Sequence, residues 1–130
     1  MSGAQRCPFC DLIAAGSFTA AGDLAVAFPD AFPVNPGHTL IVPRRHEADY
    51  FALGESEQAG MWRLAAEVRL ILDVRHRPQG YNLGINAGAV AGQTIAHAHL
   101  HVIPRYAGDV ADPRGGVRWI LAERAPYWEK

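Results

Sequence analysis

The chain has 130 residues, 49% of them hydrophobic and 19% charged, with a formal net charge of −1. That length favours a single domain spanning 1–130 with its own core, and so small a charge excludes the whole-molecule basic field that gathers nucleic acid or an anionic membrane surface. No stretch reaches the ~18 consecutive apolar residues of a membrane span. Residues Met1 to Pro8 lack the apolar segment of a secretory signal, so the expected compartment is the cytoplasm.

In chain order, Cys10 to Ala15 is predicted as a short N-terminal helix ended by Gly16. Leu24 to Phe28 reads as a strand stopped by Pro29. Asp30 to Gly37, with Pro33 and Pro36, is an extended loop, because proline resists a helix interior and a central strand alike. His38 to Val42 is a second strand, closed by Pro43. From Glu55 to Asp73 the apolar residues Met61, Leu64, Ala65, Val68 and Leu72 recur at three and four, which predicts one long helix. His76, between Arg75 and Arg77, is expected at its exposed end without a function. Pro78 and Gly80 break the chain. Tyr81 to Asn86 is a third strand, Gly88 to Thr94 a flexible connection, His97 to Ile103 a fourth strand ended by Pro104, and Val117 to Leu121 a last short strand. Strands joined by short loops, with one long helix and a short N-terminal helix, predict an α+β domain on an antiparallel sheet.

The most informative segment is His97-Ala98-His99-Leu100-His101-Val102-Ile103. On a strand, residues two apart share a face, so three imidazoles face one way while Ala98, Leu100 and Val102 face the other. A structural row of histidines is the plainest reading. A catalytic zinc held by three histidines and an open position is a second, although neighbours on one flat strand converge poorly on one ion. Covalent catalysis at phosphorus is the third. A neutral imidazole with one nitrogen held as donor exposes the other as nucleophile, and flanking imidazoles supply protons or charge to phosphate oxygens. The glycines from Gly88 to Gly92 permit close backbone approach to an anion. The third reading accounts for the most residues.

The motif, with Gly92-Gln93-Thr94 before it and Asn86 upstream, resembles the histidine triad family of nucleotide hydrolases and transferases. A second block fits the same pattern in order and spacing: Phe28-Pro29-Asp30, Pro36-Gly37-His38 and Val42-Pro43-Arg44-Arg45-His46. The resemblance implies that His99 attacks the α-phosphate of an adenylyl compound, forming a nucleotidyl-histidine that water hydrolyses. It implies that the His97 carbonyl holds the other nitrogen of His99, that His101 serves the phosphate oxygens or leaving group, and that His38 supports the site. Gly92, Gln93, Thr94 and Asn86 would meet the phosphate, Asp30 the ribose and Phe28 the adenine. The bland alternatives are a turn cap for Asp30, plain core for Phe28 and a turn residue for Asn86. The resemblance also implies a homodimer, and two sheets joined edge to edge would hide an exposed strand. The expected ligand is an AMP-type nucleotide, with magnesium accompanying a polyphosphate substrate.

Cys7-Pro8-Phe9-Cys10 has three readings: two idle thiols, a redox pair and a metal chelate. The motif is similar to that of glutaredoxins, but the six residues before Cys7 leave too little chain for the strand that precedes it there. Some histidine triad proteins, and the related hexose-phosphate uridylyltransferases, hold structural zinc with a cysteine pair and two histidines. Carried onto this chain, that set is Cys7, Cys10, His46 and His97. Two rivals from other classes stay open: a non-catalytic nucleotide-binding module and a zinc hydrolase using the triad as ligands. In the tail, Arg114 and Arg118 are read either as binders of distal phosphates or as surface charge. Trp119, Tyr127 and Trp128 are read as packing at an interface or over a pocket.

Overall fold

The computed structural model describes residues 6–129; most of the N-terminal stretch read for a targeting signal lies outside them. Its first helix, α1, is Pro8–Ala15. It begins two residues earlier than predicted, because proline suits the first helical position, where no intrahelical N–H is needed. The Cys7 sulfur accepts from the Cys10 N–H at 3.4 Å and caps the helix, and Gly16 ends it in the left-handed conformation with φ 76°.

Five strands follow: β1 Ala20–Ala21, β2 Ala25–Pro29, β3 Thr39–Pro43, β4 Gly80–Ile85 and β5 Leu100–Arg105. They form one sheet in the order β1-β2-β3-β5-β4, with every neighbouring pair antiparallel. The long helix α2 runs Glu55–His76, three residues past the predicted end, and the Glu57 carboxylate accepts from the Gly54 N–H at its start. Among the described residues no helix is long and apolar enough to cross a membrane.

Strand alternation divides the apolar residues into two layers. Ala25, Ala27, Ile41, Leu100 and Val102 pack with Ala98 against Met61, Leu64, Ala65, Val68 and Leu72 of α2. On the opposite face Val26, Phe28, Leu40 and Val42 form a smaller cluster closed by Phe9 of α1. The histidine row belongs to this second face. The fourth strand, expected from His97, begins only at Leu100: His97 lies in a bend and His99 just before the ladder.

Two further sequence expectations about strands need correction. Pro104 lies inside β5, opposite Tyr81, whereas it was expected to end the strand. Its carbonyl accepts from Asn35 Nδ2 on the β3 side, so the missing N–H also faces away from β4 and leaves that ladder whole. Val117 to Leu121 is not a strand: Gly116–Arg124 forms 3₁₀ turns broken at Leu121. Two glycines with positive φ, Gly115 and Gly116, redirect the chain there, and Arg118 locks the turn through the carbonyls of Ala125 and Arg124.

The loop from Asp30 to His38 is set by Gly37. Its φ is +89°, and a Cβ there would lie 2.9 Å from Cδ2 of His76 and 3.1 Å from Cγ of Pro104. His76 is exposed at the end of α2, as expected, yet its ring is the surface on which this loop rests.

Candidate active site and metal centre

Each triad ring enters a different set of contacts. His97 is wholly buried, and its Nε2–H donates to the Pro43 carbonyl at 2.8 Å. A carbonyl only accepts, so the neutral ring carries its lone pair on Nδ1. Burial lowers the pKa of His97, against the pull of the Pro43 carbonyl, and keeps it neutral. That Nδ1 lies 3.4 Å from Cys7 Sγ, 3.7 Å from Cys10 Sγ and 3.2 Å from Nδ1 of His46. Cys10 Sγ and His46 Nδ1 are 3.3 Å apart. Four ligand atoms around tetrahedral zinc, with bonds of about 2.0–2.3 Å, stand roughly 3.3–3.8 Å from one another. The four residues fit zinc, and they are the set expected from the sequence.

His99 is 6% exposed, and its Nδ1–H donates to the carbonyl of His97 at 2.9 Å. Its neutral ring therefore bears a lone pair on Nε2. His101 faces His38 instead, Nδ1 to Nε2 at 3.0 Å. The Val34 N–H donates to Nδ1 of His38, which puts the His38 proton on Nε2, and that N–H donates to His101. The His101 proton is consequently on its own Nε2. Burial, then the neighbouring His99 and His38, lower the pKa of His101 to about 4. Burial likewise lowers His38, opposed by Asp30.

Asp30 takes the form expected of a turn cap and also reaches His38. One carboxylate oxygen accepts from the Phe32 N–H at 2.8 Å as a turn cap, and the other lies 3.4 Å from His38 Nε2. Asp30, His38 and His101 also bring three potential ligand atoms together, but the Val34 N–H on His38 leaves no lone pair on its inward nitrogen. This cluster is a hydrogen-bond chain. The three triad rings do not converge on one ion: His97 turns to the cysteines and His101 to His38. That geometry disfavours the zinc hydrolase using the triad as ligands.

Phe28 is buried in the second-face cluster, its ring 5.5 Å from that of Phe9. Asn86 is half-buried just past β4, and the register that pairs Ile85 with Leu100 sets it opposite His99 when carried one residue further. Gly92 has φ 98° and ends the 3₁₀ turn Ala89–Ala91. Gln93 is not aimed at the histidines. Its amide N–H groups donate to the carbonyls of Ala48 and Ile95, and its oxygen accepts from the Gly88 N–H. Thr94 is exposed and lines a cavity of about 380 Å³ on the cysteine side, with Cys7, His46 and Ile95. Arg114 pairs with Asp112 and lies over the Trp128 ring, while Arg118 lies over Tyr127. Both arginines are engaged by partners within the tail.

Sequence reasoning missed Phe9, the Pro43 carbonyl and the Val34 N–H. Phe9 alone left a signal: it is the apolar residue between two ligands on the inward side of α1. The other two act through backbone groups, which no side-chain pattern announces.

The pattern of the HIT domain family matches residues 15–108. A HIT-like protein of Mycoplasma genitalium is 40% identical over 106 residues, covering 78% of this chain and 74% of that protein. A protein of Mycobacterium tuberculosis named AP-4-A phosphorylase is 36% identical over 95 residues, covering 72% of this chain and 49% of its own length. The crystal structure of a Zn-bound histidine triad family protein from Mycobacterium smegmatis superposes with a TM-score of 0.73 at 28% identity, covering 92% of this chain and 94% of that one. The family match runs from the end of α1 to just beyond β5, and the chain belongs to the HIT domain family, the histidine triad proteins.

Proposed function

We propose that the protein is a nucleoside phosphate hydrolase or transferase that cleaves the α-phosphate bond of adenosine phosphoramidates or dinucleoside polyphosphates through a nucleotidyl-histidine on His99. The observation that carries this reading is the hydrogen bond from His99 Nδ1 to the His97 carbonyl, which leaves Nε2 free for in-line attack. The bond from Nε2 to phosphorus forms as the bond to the leaving group breaks. The His101 Nε2–H hydrogen-bonds a phosphoryl oxygen or the departing group. Water then attacks the same phosphorus and frees His99, so that one water is consumed per bond cleaved. With another nucleophile in place of water the second step is a transfer. Asp30 receives the ribose hydroxyls in this scheme, Phe28 borders the base, and Asn86 with the Gly92 to Thr94 segment borders the phosphate.

The similarity to a relative named AP-4-A phosphorylase supports the dinucleoside polyphosphate class. Zinc belongs to Cys7, Cys10, His46 and His97, where it would supply a fixed structural centre. Neither ligand cluster among the described residues is the oxygen set that magnesium prefers, so the magnesium expected with a polyphosphate finds no support. The burial of His99 favours the second reading, a non-catalytic nucleotide-binding module. One experiment separates the two: incubation with a panel of adenylated compounds and mass spectrometry of the peptide containing His99. A nucleoside monophosphate adduct supports the enzyme; binding without an adduct on any compound supports the module.

The proton arrangement predicts a pH response. His101 stays neutral until the pH approaches about 4, so its protonation leaves turnover unaffected between about pH 7 and 6 and suppresses it below about 5. Its folded pKa lies below the ordinary value of 6.5, so the unfolded chain binds the extra proton first. The corresponding stability is fully present above about 6.5 and is lost as the pH falls toward 4. Denaturant melts at stepped pH check this; stability that rises on acidification would contradict the neutral ring.

The homodimer expectation attaches to β4, which forms one free edge of the sheet and carries the exposed Leu83. Sedimentation should give twice the chain mass, and a monomer at all concentrations would remove the idea.

A further inference from the structure

On the reading of His99 as nucleophile, we propose that the metal centre orients its imidazole, with His97 and Phe9 as positioning residues. Beside the His101 ring, whose centroid is 5.1 Å away on β5, two contacts hold the His99 imidazole from behind: the bond from Nδ1 to the His97 carbonyl at 2.9 Å and the edge of Phe9 with centroids 5.1 Å apart at 76°. Both originate in the metal-ligand segments. His97 presents its ring nitrogen to the cysteines and its carbonyl to His99. Phe9 lies between Cys7 and Cys10, and it also touches the His97 ring at 5.9 Å and Phe28 at 5.5 Å.

Helix α1 depends on this anchorage. It has eight residues, of which only Phe9 is buried, and a helix so short does not persist in water on its own. The two sulfurs join it to His46, which follows β3, and to His97, which precedes β5. A metal at this point ties three distant segments together directly behind the nucleophile. Its loss releases α1, withdraws Phe9 from the imidazole and frees the His97 peptide. The consequence is kinetic: a ring turned off the line of attack costs roughly 10- to 100-fold in the chemical step, while the ribose contact at Asp30 lies elsewhere and holds nucleotide affinity nearly constant.

The test uses the full chain, zinc-loaded or stripped with a chelator, with zinc counted by mass spectrometry and the fold checked by circular dichroism. In the loaded protein, ¹⁵N spectra of labelled histidine should show a single Nδ1–H form of His99; in the stripped protein, an averaged mixture of both forms. Single-turnover adduct formation should slow by about 10- to 100-fold while the Kd for AMP stays within about 3-fold. Phe9→Ala should keep its zinc yet show the same loosened ring and slower step, and Phe9→Leu should recover most of both. If stripping unfolds the chain, the two Phe9 variants carry the comparison. An unchanged His99 spectrum and rate in the stripped protein, or in Phe9→Ala, overturns the coupling. If the loaded wild type forms no adduct at all, the enzyme reading fails, and the ring spectra alone then decide the coupling.

Discussion

A His99→Ala protein is expected to retain zinc and to bind AMP, while its turnover falls by about 10⁴-fold or more. The side chain makes one hydrogen bond, to a carbonyl, and is not among the four metal-facing residues. Its removal opens a small cavity beside Phe9, at a cost of about 1–3 kcal/mol by analogy with other core truncations. The fold survives that loss if its stability is ordinary for a domain of this size. What cannot survive is the bond to phosphorus, because His97 and His101 are turned to other partners. Isothermal titration with AMP, beside steady-state rates on an adenylated substrate, checks both halves. Turnover above about one-hundredth of wild type would rule out the covalent route on His99.

The second large effect is expected from Cys7→Ser: zinc falls from one per chain to near none, and the melting temperature drops by about 10 °C. Cys7 has two tasks, as metal-facing sulfur and as the cap of α1. Serine is among the best capping residues but a poor zinc ligand at neutral pH, so this exchange keeps the cap and removes the ligand. The difference can therefore be assigned. In chelator-treated protein, wild type and Cys7→Ser should melt together, because the interaction that separates them is gone. A persistent gap there would place the role of Cys7 in packing, and full zinc content in the variant would exclude Cys7 as a ligand.

Much of this architecture was legible because the informative residues lie close in sequence. The spacing of Met61, Leu64, Val68 and Leu72 identified α2, and the alternation of Leu100 and Val102 with the histidines assigned the two faces of the row. The division of labour among the three rings was only partly legible. The resemblance pointed His97 toward the cysteines, but the proton positions depend on Pro43, Val34 and His38, which are remote in the chain and act partly through backbone atoms. The tail misled for a related reason. Val117 to Leu121 has the apolar content of a strand, but Gly115 and Gly116 turn the chain, and Ile120 stays 85% exposed. The phosphate contact expected of Gln93 rests on the family resemblance, and the Gln93 side chain is engaged within the chain. Its three contacts, with Gly88, Ala48 and Ile95, make it a brace.

That brace bears on how fast a ligand is captured. With every amide hydrogen of Gln93 engaged, the segment beside the histidines is already ordered before any visitor arrives, and it has little room to swing shut behind one. Capture should then proceed in a single kinetic phase limited by encounter, with a small heat-capacity change and no slow settling step.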